Sequence, residues 1–182
     1  MSTISPPWPP EATEPAVRHP DAPAPGTVLP PHYRHCFGCG PTTPGGLRMV
    51  CTAGDGLTID ALFHVAEVHQ GAPGLAHGGL LTAAFDEALG SLAALFRIPA
   101  VTGKLETEFR RPVPVGTTLH ITATVDGRKG RKIYESAVGR LDAPDGPIAV
   151  RAKAMFITVE MEHFIKHGRR ADEVRRVFDV NP

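Results

Sequence analysis

The sequence predicts an α+β fold in which one long apolar helix packs against a curved antiparallel sheet. Three observations support this prediction. Residues 79–96 form a long apolar stretch, polar and apolar side chains alternate over residues 104–110, and three further alternating segments follow, separated by turn residues. At 182 residues, the chain has the size of a single ordinary domain.

The predicted helix follows a loop rich in glycine, HQGAPGLAHGG. Between residues 79 and 96 the only polar side chains are those of Thr82, Asp86, Glu87 and Ser91, and the others are Leu, Ala, Phe or Gly. A helix that is apolar on nearly every side is expected to be buried on most sides.

The predicted strands lie on both sides of this helix. One runs from Leu57 to His64, and the first strand after Pro99 places Leu105, Thr107 and Phe109 opposite a charged face made of Lys104, Glu106, Glu108 and Arg110. Further strands are predicted near residues 119–125, 133–141 and 148–159. The separators PVPVG, DGRKG and DAPDGP contain the glycine, proline or aspartate that a chain reversal needs.

The chain divides into an arm, a domain and a tail. Residues 1–31 contain ten of the 19 prolines, which disfavour helix, and we expect a mostly disordered arm. Because proline is stiff, the arm around Trp8 has the alternative of lying extended against the body. Residues 32–160 form the predicted domain. Residues 161–182 form a helical tail for packing or interface contacts, with one apolar face of Ala171, Val174, Val177 and Phe178.

Composition argues against several classes of function. Nineteen basic and 19 acidic residues give a formal net charge of zero, so no overall field favours nucleic acid or a membrane surface. The N-terminal MSTISPPWPP lacks the features of a signal peptide, and no run of eighteen apolar residues predicts a membrane span. The odd set Cys36, Cys39 and Cys51 predicts free thiols in a reducing compartment, and the cytoplasm is the expected location.

Metal and nucleophile motifs are weak in this chain. His32, His35, Cys36 and Cys39 offer zinc-binding chemistry, but one CxxC without a distant second pair is a poor match, so we expect a glycine-rich turn with buried thiols and no metal. There is no GxSxG, HExxH, P-loop or complete GxGxxG motif. Serine hydrolases, zincins and nucleotide-binding folds are therefore not predicted.

One known family resembles this chain over about residues 36–159. The segment HQGAPGLAHGGLLTAAFDEALG, followed by VTGKLETEFRRPVPVG, resembles hotdog-fold acyl-CoA thioesterases of the PaaI-like group, and CFGCGPTTPGGLRM is similar to their preceding segment. The resemblance implies a hydrolase that converts an acyl-CoA into free acid and coenzyme A, without a cofactor. It also implies a homodimer, or a dimer of dimers, with shared active sites.

Asp86 is the predicted catalytic carboxylate, acting as general base or nucleophile. Apolar surroundings are expected to raise its pKa, and the alternative is a structural aspartate with satisfied hydrogen bonds. Gly78 and Gly79 open the helix, where free N–H groups favour negative charge. The resemblance implies that the Gly78 N–H holds the oxyanion and that His77 shapes the turn. The alternative is that the glycines serve loop geometry and that His77 only caps or packs.

Spacing along the helix adds an independent prediction. Gly78 and Asp86 are eight residues apart, about 12 Å along a helix axis. One thioester carbonyl cannot contact both, so the donor and the carboxylate are predicted to come from different subunits across a two-fold interface.

Secondary candidates surround this pair. Gln70 and Thr102 are candidates for positioning the attacking water against Asp86, whereas Glu87 is expected to be a solvated or interface charge. The phosphates of coenzyme A need cations, and the candidates near strand ends are Arg110, Arg111, Arg128, Lys129, Arg131 and Lys132. Two other functions stay open, a hotdog dimer that binds acyl-CoA without cleaving it and a module that binds a partner protein.

Overall fold

The computed structural model describes residues 7–168 together with residues 172 and 174. The strands are β1 (Val50–Ala53), β2 (Thr58–His64), β3 (Gln70–Ala72), β4 (Leu75–Ala76), β5 (Ala100–Phe109), β6 (Thr118–Lys129), β7 (Lys132–Leu141) and β8 (Ile148–Thr158), and the helices are α1 (Gly78–Gly90), α2 (Ala93–Phe96) and α3 (Met161–His167). Six strands form one antiparallel sheet in the order β1-β2-β6-β7-β8-β5. The predicted α+β architecture is confirmed.

The predicted single helix is shorter than its apolar pattern. It ends at Gly90, and Ala93–Phe96 forms a separate turn of helix. The hydroxyl of Ser91 donates to the carbonyl of Glu87 at 2.8 Å, and a serine that bonds the backbone in this way competes with continued helix. The prediction of one helix through Phe96 is therefore wrong at this point.

The core lies between α1 and the concave face of the sheet. Leu81, Ala84, Phe85, Ala88 and Leu89 of α1 are buried, and they meet the inward side chains of the strands, such as those of Ile59, Phe63, Leu119 and Ile121. Gly139 of β7 makes room for the helix, because a Cβ there would lie 2.7 Å from Cζ of Phe85. Close packing of this kind fixes the helix against the middle of the sheet.

Three contacts define how α1 runs along the edge strand β5. A Cβ built on Gly78 would lie 3.6 Å from the Phe109 ring, the hydroxyls of Thr82 and Thr107 are 3.2 Å apart, and Thr102 reaches Asp86 near the other end of the helix. The helix is therefore antiparallel to β5, and its N-terminus lies at the end of β5 opposite from Asp86.

The described part of the arm, residues 7–31, lies against the domain. The indole N–H of Trp8 donates to Asp126 at 2.9 Å, and its ring packs edge-on against Tyr134. The carboxylate of Glu11 pairs with two lysines of the β6–β7 turn, at 2.6 Å and 2.9 Å. The expectation of a mostly disordered arm is wrong for these residues, because Trp8 and Glu11 find partners on the outer face of β6 and β7.

The tail begins with α3, and the apolar face predicted beyond it lies mostly outside the described residues. Only Val174 of that face is described, and it is half-buried; Ala171, Val177 and Phe178 are not.

The stretch Gly78–Phe96 is long and apolar enough to cross a membrane by length and composition, with a mean hydropathy of 1.3. Buried core helices meet the same criterion. In this chain α1 occupies the core position against the sheet.

Candidate active site

The first turn of α1 presents a free backbone donor. His77 caps the helix, since its Nδ1 accepts a hydrogen bond from the Gly79 N–H at 2.9 Å, and its own N–H donates to the carbonyl of His69 at 2.8 Å. Within the described part of the chain, the Gly78 N–H has no hydrogen-bond acceptor. His77 is thus the helix cap, the alternative given for it above, and a role in catalysis stays a prediction. Gly78 is the residue at the helix start whose N–H is available to an anion.

Gly78 lies in an open cleft of about 350 Å³. The cleft is lined by Leu75, Ala76, Leu81, Phe109, Arg110, Arg111, Pro112 and Val113. Arg110 pairs with Glu108 at 2.8 Å, and Arg111 donates to the carbonyl of Ile148 at 2.7 Å. Gly78 therefore lines a mostly apolar cleft that also has two arginines among its lining residues.

Asp86 is a half-buried carboxylate on the same helix. The hydroxyl of Thr102 donates to its Oδ1 at 2.7 Å, and Thr102 borders a bulge in β5 that changes the facing of the side chains there. Burial raises the pKa of Asp86, the hydrogen bond from Thr102 opposes this, and the negative charges of Glu87 and Cys36 raise the pKa further. Asp86 is thus a stronger base than an exposed aspartate.

Two sequence expectations concern neighbours of this site. Gln70 does not contact Asp86; its Oε1 accepts from the Gly74 N–H at 2.5 Å within the β3–β4 turn. Its catalytic role stays a prediction. Glu87 is not a solvated charge, because its side chain is only 11% exposed and lies 3.5 Å from His32 Nδ1. The segment around His32 covers this face of α1, a contact that helical periodicity alone did not show.

The predicted basic cluster divides between two ends of the sheet. The N–H groups of Arg110 and Arg111 donate to the carbonyl of Ala149, beyond the end of β5. Arg131 donates to Thr158, which pairs with Ala100 at the start of β5, and Lys129 and Lys132 flank the same β6–β7 turn and pair with the arm. Within one chain the basic residues therefore lie a strand length apart; Arg128 belongs to the second group and bonds the carbonyl of Gly130.

Glu135 was missed by sequence reasoning. Its side chain is 2% exposed, and Oε2 has no hydrogen-bond partner among the described residues. Burial raises its pKa well above the ordinary value, and the carboxylates of Asp126 and Asp86 add to this effect. The available signal was its phase in β7, since Glu135 alternates with the inward residues Ile133 and Ala137.

Comparisons with known proteins agree with this fold and helix. Residues 73–134, which include α1 and β5, match the family model of the thioesterase superfamily. The acyl-coenzyme A thioesterase THEM4 of Xenopus laevis is 29% identical over 110 residues, covering 60% of this chain and 45% of that protein. The THEM4 of Bos taurus is 33% identical over 101 residues, covering 56% and 41%. The chain thus matches less than half the length of these relatives.

Solved structures show the same architecture. A thioesterase superfamily protein of known crystal structure is 26% identical, with a TM-score of 0.63 over 75% of this chain and 70% of that one. The E. coli PaaI protein from the phenylacetic acid degradation operon is 18% identical, with a TM-score of 0.58 over 63% of this chain and 81% of its own.

A hypothetical thioesterase from Streptococcus pneumoniae TIGR4, in complex with coenzyme A, is 15% identical, with a TM-score of 0.53 over 56% and 81%. Two mutant structures of a hypothetical thioesterase from that organism carry alanine in place of an aspartate, or of a threonine sixteen residues later. The described domain therefore has the hotdog fold of these thioesterases, and its residues 73–134, which include α1 and β5, match the thioesterase superfamily model.

Proposed function

We propose that this protein is an acyl-CoA thioesterase, in which Asp86 is the general base or nucleophile and the Gly78 N–H is the oxyanion donor. The observation that carries the proposal is the pair of groups on α1, a half-buried carboxylate that accepts a hydrogen bond from Thr102 and, among the described residues, an unbonded N–H of Gly78, which lines a cleft. The names of the relatives and the coenzyme A complex of a structural neighbour support this substrate class.

The geometry suits hydrolysis of a thioester. Thr102 occupies Oδ1 of Asp86, which leaves Oδ2 to take a proton from water or to attack the carbonyl. As a base, Asp86 delivers hydroxide to the carbonyl carbon, the C–S bond breaks, and the thiolate of coenzyme A leaves. As a nucleophile, its Oδ2 attacks the carbonyl carbon, the C–S bond breaks to release the thiolate of coenzyme A and leave a mixed anhydride, and water then hydrolyses the anhydride to the free acid and the regenerated carboxylate. In both cases the oxyanion needs a donor such as the Gly78 N–H.

The spacing of the Asp86–Thr102 pair adds support. These residues are sixteen positions apart, the same separation as the aspartate and threonine replaced by alanine in the Streptococcus pneumoniae mutants.

We further propose that the site is shared between two subunits paired through β5. This strand is ten residues long and lies at the edge of the sheet, where its outer N–H and C=O groups are available to a second strand. Antiparallel self-pairing centred on Leu105 would place Lys104 opposite Glu106 of the partner subunit, a favourable pair of charges. The same pairing brings Thr102 near Phe109 of the partner subunit.

That arrangement places the two halves of the site together. Thr102 holds Asp86 near one end of β5, and Phe109 lies beside Gly78 near the other end. A two-fold axis between two β5 strands therefore brings Asp86 of one subunit toward Gly78 of its partner. The same axis brings the Arg110 end of one β5 strand toward the β6–β7 turn of the other subunit. The two groups of basic residues, which lie apart within one chain, would then be close together across the interface.

The direct test follows thiol release from acyl-CoAs of varied length and aromaticity. We expect Asp86→Asn to lower kcat/KM by roughly 100-fold or more, the range for loss of a general base. The matched control is Asp60→Asn, because Asp60 also accepts a hydrogen bond from a threonine, Thr122, at 2.7 Å, but on the exposed side of the sheet. Unchanged hydrolysis by Asp86→Asn contradicts the mechanism, and binding without turnover by the wild type favours a non-catalytic binding dimer.

Mixed dimers test the shared site separately. Gly78→Pro removes the N–H, and proline is tolerated at the first position of a helix. Each variant alone should be inactive, but dimers formed after unfolding and refolding an equal mixture with Asp86→Asn contain one intact site in each heterodimer. Recovery of about a quarter of wild-type activity is expected from random pairing. No recovery in verified heterodimers means that each site is built within one chain.

A further inference from the structure

Four potential metal ligands from two distant parts of the sequence meet beside the catalytic helix. His32, Cys36 and Cys39 come from the cysteine loop, residues 32–40, and Glu87 comes from α1. One ligand atom from each residue lies within 4.8 Å of the corresponding atom of every other. The Sγ of Cys39 is 3.2 Å from His32 Nδ1, and the Sγ of Cys36 is 3.4 Å from Oε2 of Glu87.

These separations are close to those expected between the ligand atoms of a tetrahedral zinc site. Bond lengths of about 2.0 Å to nitrogen or oxygen and about 2.3 Å to sulfur give ligand-to-ligand distances of roughly 3.3–3.8 Å in a tetrahedral zinc site. Two separations, Cys39 Sγ to His32 Nδ1 and Cys36 Sγ to Oε2 of Glu87, are 3.2 Å and 3.4 Å, and no separation within the set of four ligand atoms exceeds 4.8 Å. A zinc ion therefore fits after small adjustments of side chains.

The backbone of the cysteine loop holds its side chains in place. The Gly38 N–H donates to Sγ of Cys36 at 3.3 Å, a contact that stabilises a thiolate. The loop is anchored to the chain before β1, because the N–H groups of Leu47 and Met49 donate to the carbonyls of Phe37 and Gly38 at 2.8 Å and 2.9 Å.

Two positions of the loop require glycine, because neighbouring atoms lie too close to leave room for a Cβ. A Cβ at Gly38 would overlap the carboxylate of Glu87, and a Cβ at Gly40 would overlap the carbonyl of Cys36. The loop therefore packs directly against the carboxylate of Glu87 and folds tightly on itself, which holds Cys36 and Glu87 next to each other.

We propose that His32, Cys36, Cys39 and Glu87 bind a zinc ion that fastens the cysteine loop onto α1, directly beside Asp86. Two soft thiolates with an imidazole and a carboxylate favour zinc over magnesium or calcium, which prefer oxygen ligands only. Four protein ligands complete a tetrahedron without a position for water, so the ion has a structural and not a catalytic role. His35 is outside the set, since its Nδ1 lies 2.8 Å from Oγ1 of Thr42.

The sequence argument against a metal was the lack of a second CxxC pair. In the fold, Glu87 from α1 is the fourth ligand, 48 positions after Cys39 in the chain. Its position in an otherwise apolar helix has a reason under this proposal, because a carboxylate that is only 11% exposed needs a cation or strong donors.

The test measures metal on the full-length protein, kept reduced throughout with a metal-compatible phosphine. We expect about one zinc per chain after expression with zinc and gel filtration, and a thiolate-to-metal charge-transfer band when Co²⁺ replaces Zn²⁺. Both signals should be lost in Cys36→Ser/Cys39→Ser. They should persist in Cys51→Ala, which removes a thiol that is buried in the core and is not part of the set.

Glu87→Gln supplies a second, milder variant for a protein that fails to fold without both thiols. It should weaken Zn²⁺ binding in a competition titration with a chromophoric chelator by at least about tenfold. Zinc below about a tenth of an equivalent in the reduced wild type, together with no charge-transfer band on adding Co²⁺, overturns the proposal. Equal metal binding by the wild type and Cys36→Ser/Cys39→Ser also overturns it.

Discussion

Glu135 should make the stability of this protein fall as the pH rises above the carboxylate range. The side chain is buried, and one of its oxygens lacks a hydrogen-bond partner among the described residues, so the folded state favours its neutral form. Because its folded-state pKa is raised above the ordinary 4.5, its contribution to stability is complete below that value. The contribution is then lost as the pH rises through the folded-state pKa.

The size of the effect follows from linkage. Between the two pKa values, one proton is bound in the folded state and is absent from the unfolded state. The free energy of unfolding then falls by up to about 1.4 kcal/mol per pH unit. Glu135→Gln keeps the shape of the side chain but cannot ionise, so its free energy of unfolding should lack this slope in the window between the ordinary pKa of 4.5 and the raised folded-state pKa.

Urea denaturation at closely spaced pH values, at one protein concentration, measures the difference between the wild type and Glu135→Gln. We expect the variant to gain relative stability with each step upward in pH. The control is Glu106→Gln, because the hydrogen bond from Lys104 lowers the pKa of Glu106 and its titration is finished below this window. Parallel curves for Glu135→Gln and wild type would refute the reasoning, since they mean that Glu135 is not held neutral in the fold.

Three further predictions concern separate parts of the structure. Thr102→Val removes a hydrogen bond that lowers the pKa of Asp86, the proposed catalytic carboxylate, so the acid limb of the kcat/KM profile should move to higher pH. Thr102→Ser should restore the limb, and an unmoved limb in Thr102→Val would show that the bond is not formed. Gly139→Ala places a Cβ 2.7 Å from the Phe85 ring, so urea denaturation should show a free energy of unfolding that is lower by about 1–3 kcal/mol. An unchanged free energy of unfolding would contradict the close packing. The hydrogen bond from Lys129 is the largest cause that lowers the pKa of Glu11 to about 2, so Glu11 stabilises the fold above pH 4.5 and this contribution disappears as the pH falls through 2. Glu11→Gln should therefore have a lower melting temperature than wild type at neutral pH and the same one near pH 2, whereas equal values at both would dismiss the docked arm.

Much of the fold and part of the site could be read from local patterns. The apolar run after residue 79 and the alternation in the later strands depend on periods of 3.6 and 2 residues, which neighbouring positions reveal. Asp86 lies eight residues after Gly78 on the same helix, and the distance of about 12 Å between them follows from helix geometry alone. The sequence analysis also predicted that Thr102 lies near Asp86, and in the structure its hydroxyl donates to this carboxylate.

Other features depend on contacts between distant parts of the chain, which no local period encodes. The docking of Trp8 and Glu11 on the outer sheet, and the division of the basic residues between two ends of β5, result from strand order. From the sequence, Glu87 was expected to be a solvated or interface charge, because no local pattern indicates that the cysteine loop covers it.

The sequence by itself determined an apolar helix that begins with Gly78 and carries Asp86, because the pattern of apolar residues that predicts a helix lies within the segment itself. Only the tertiary structure decided which residues cover that helix. In the fold, His32, Cys36 and Cys39 lie beside Glu87, and Glu135 is buried. Neither was predicted from the sequence, because the burial and the charge state of a side chain depend on residues that are distant in the chain.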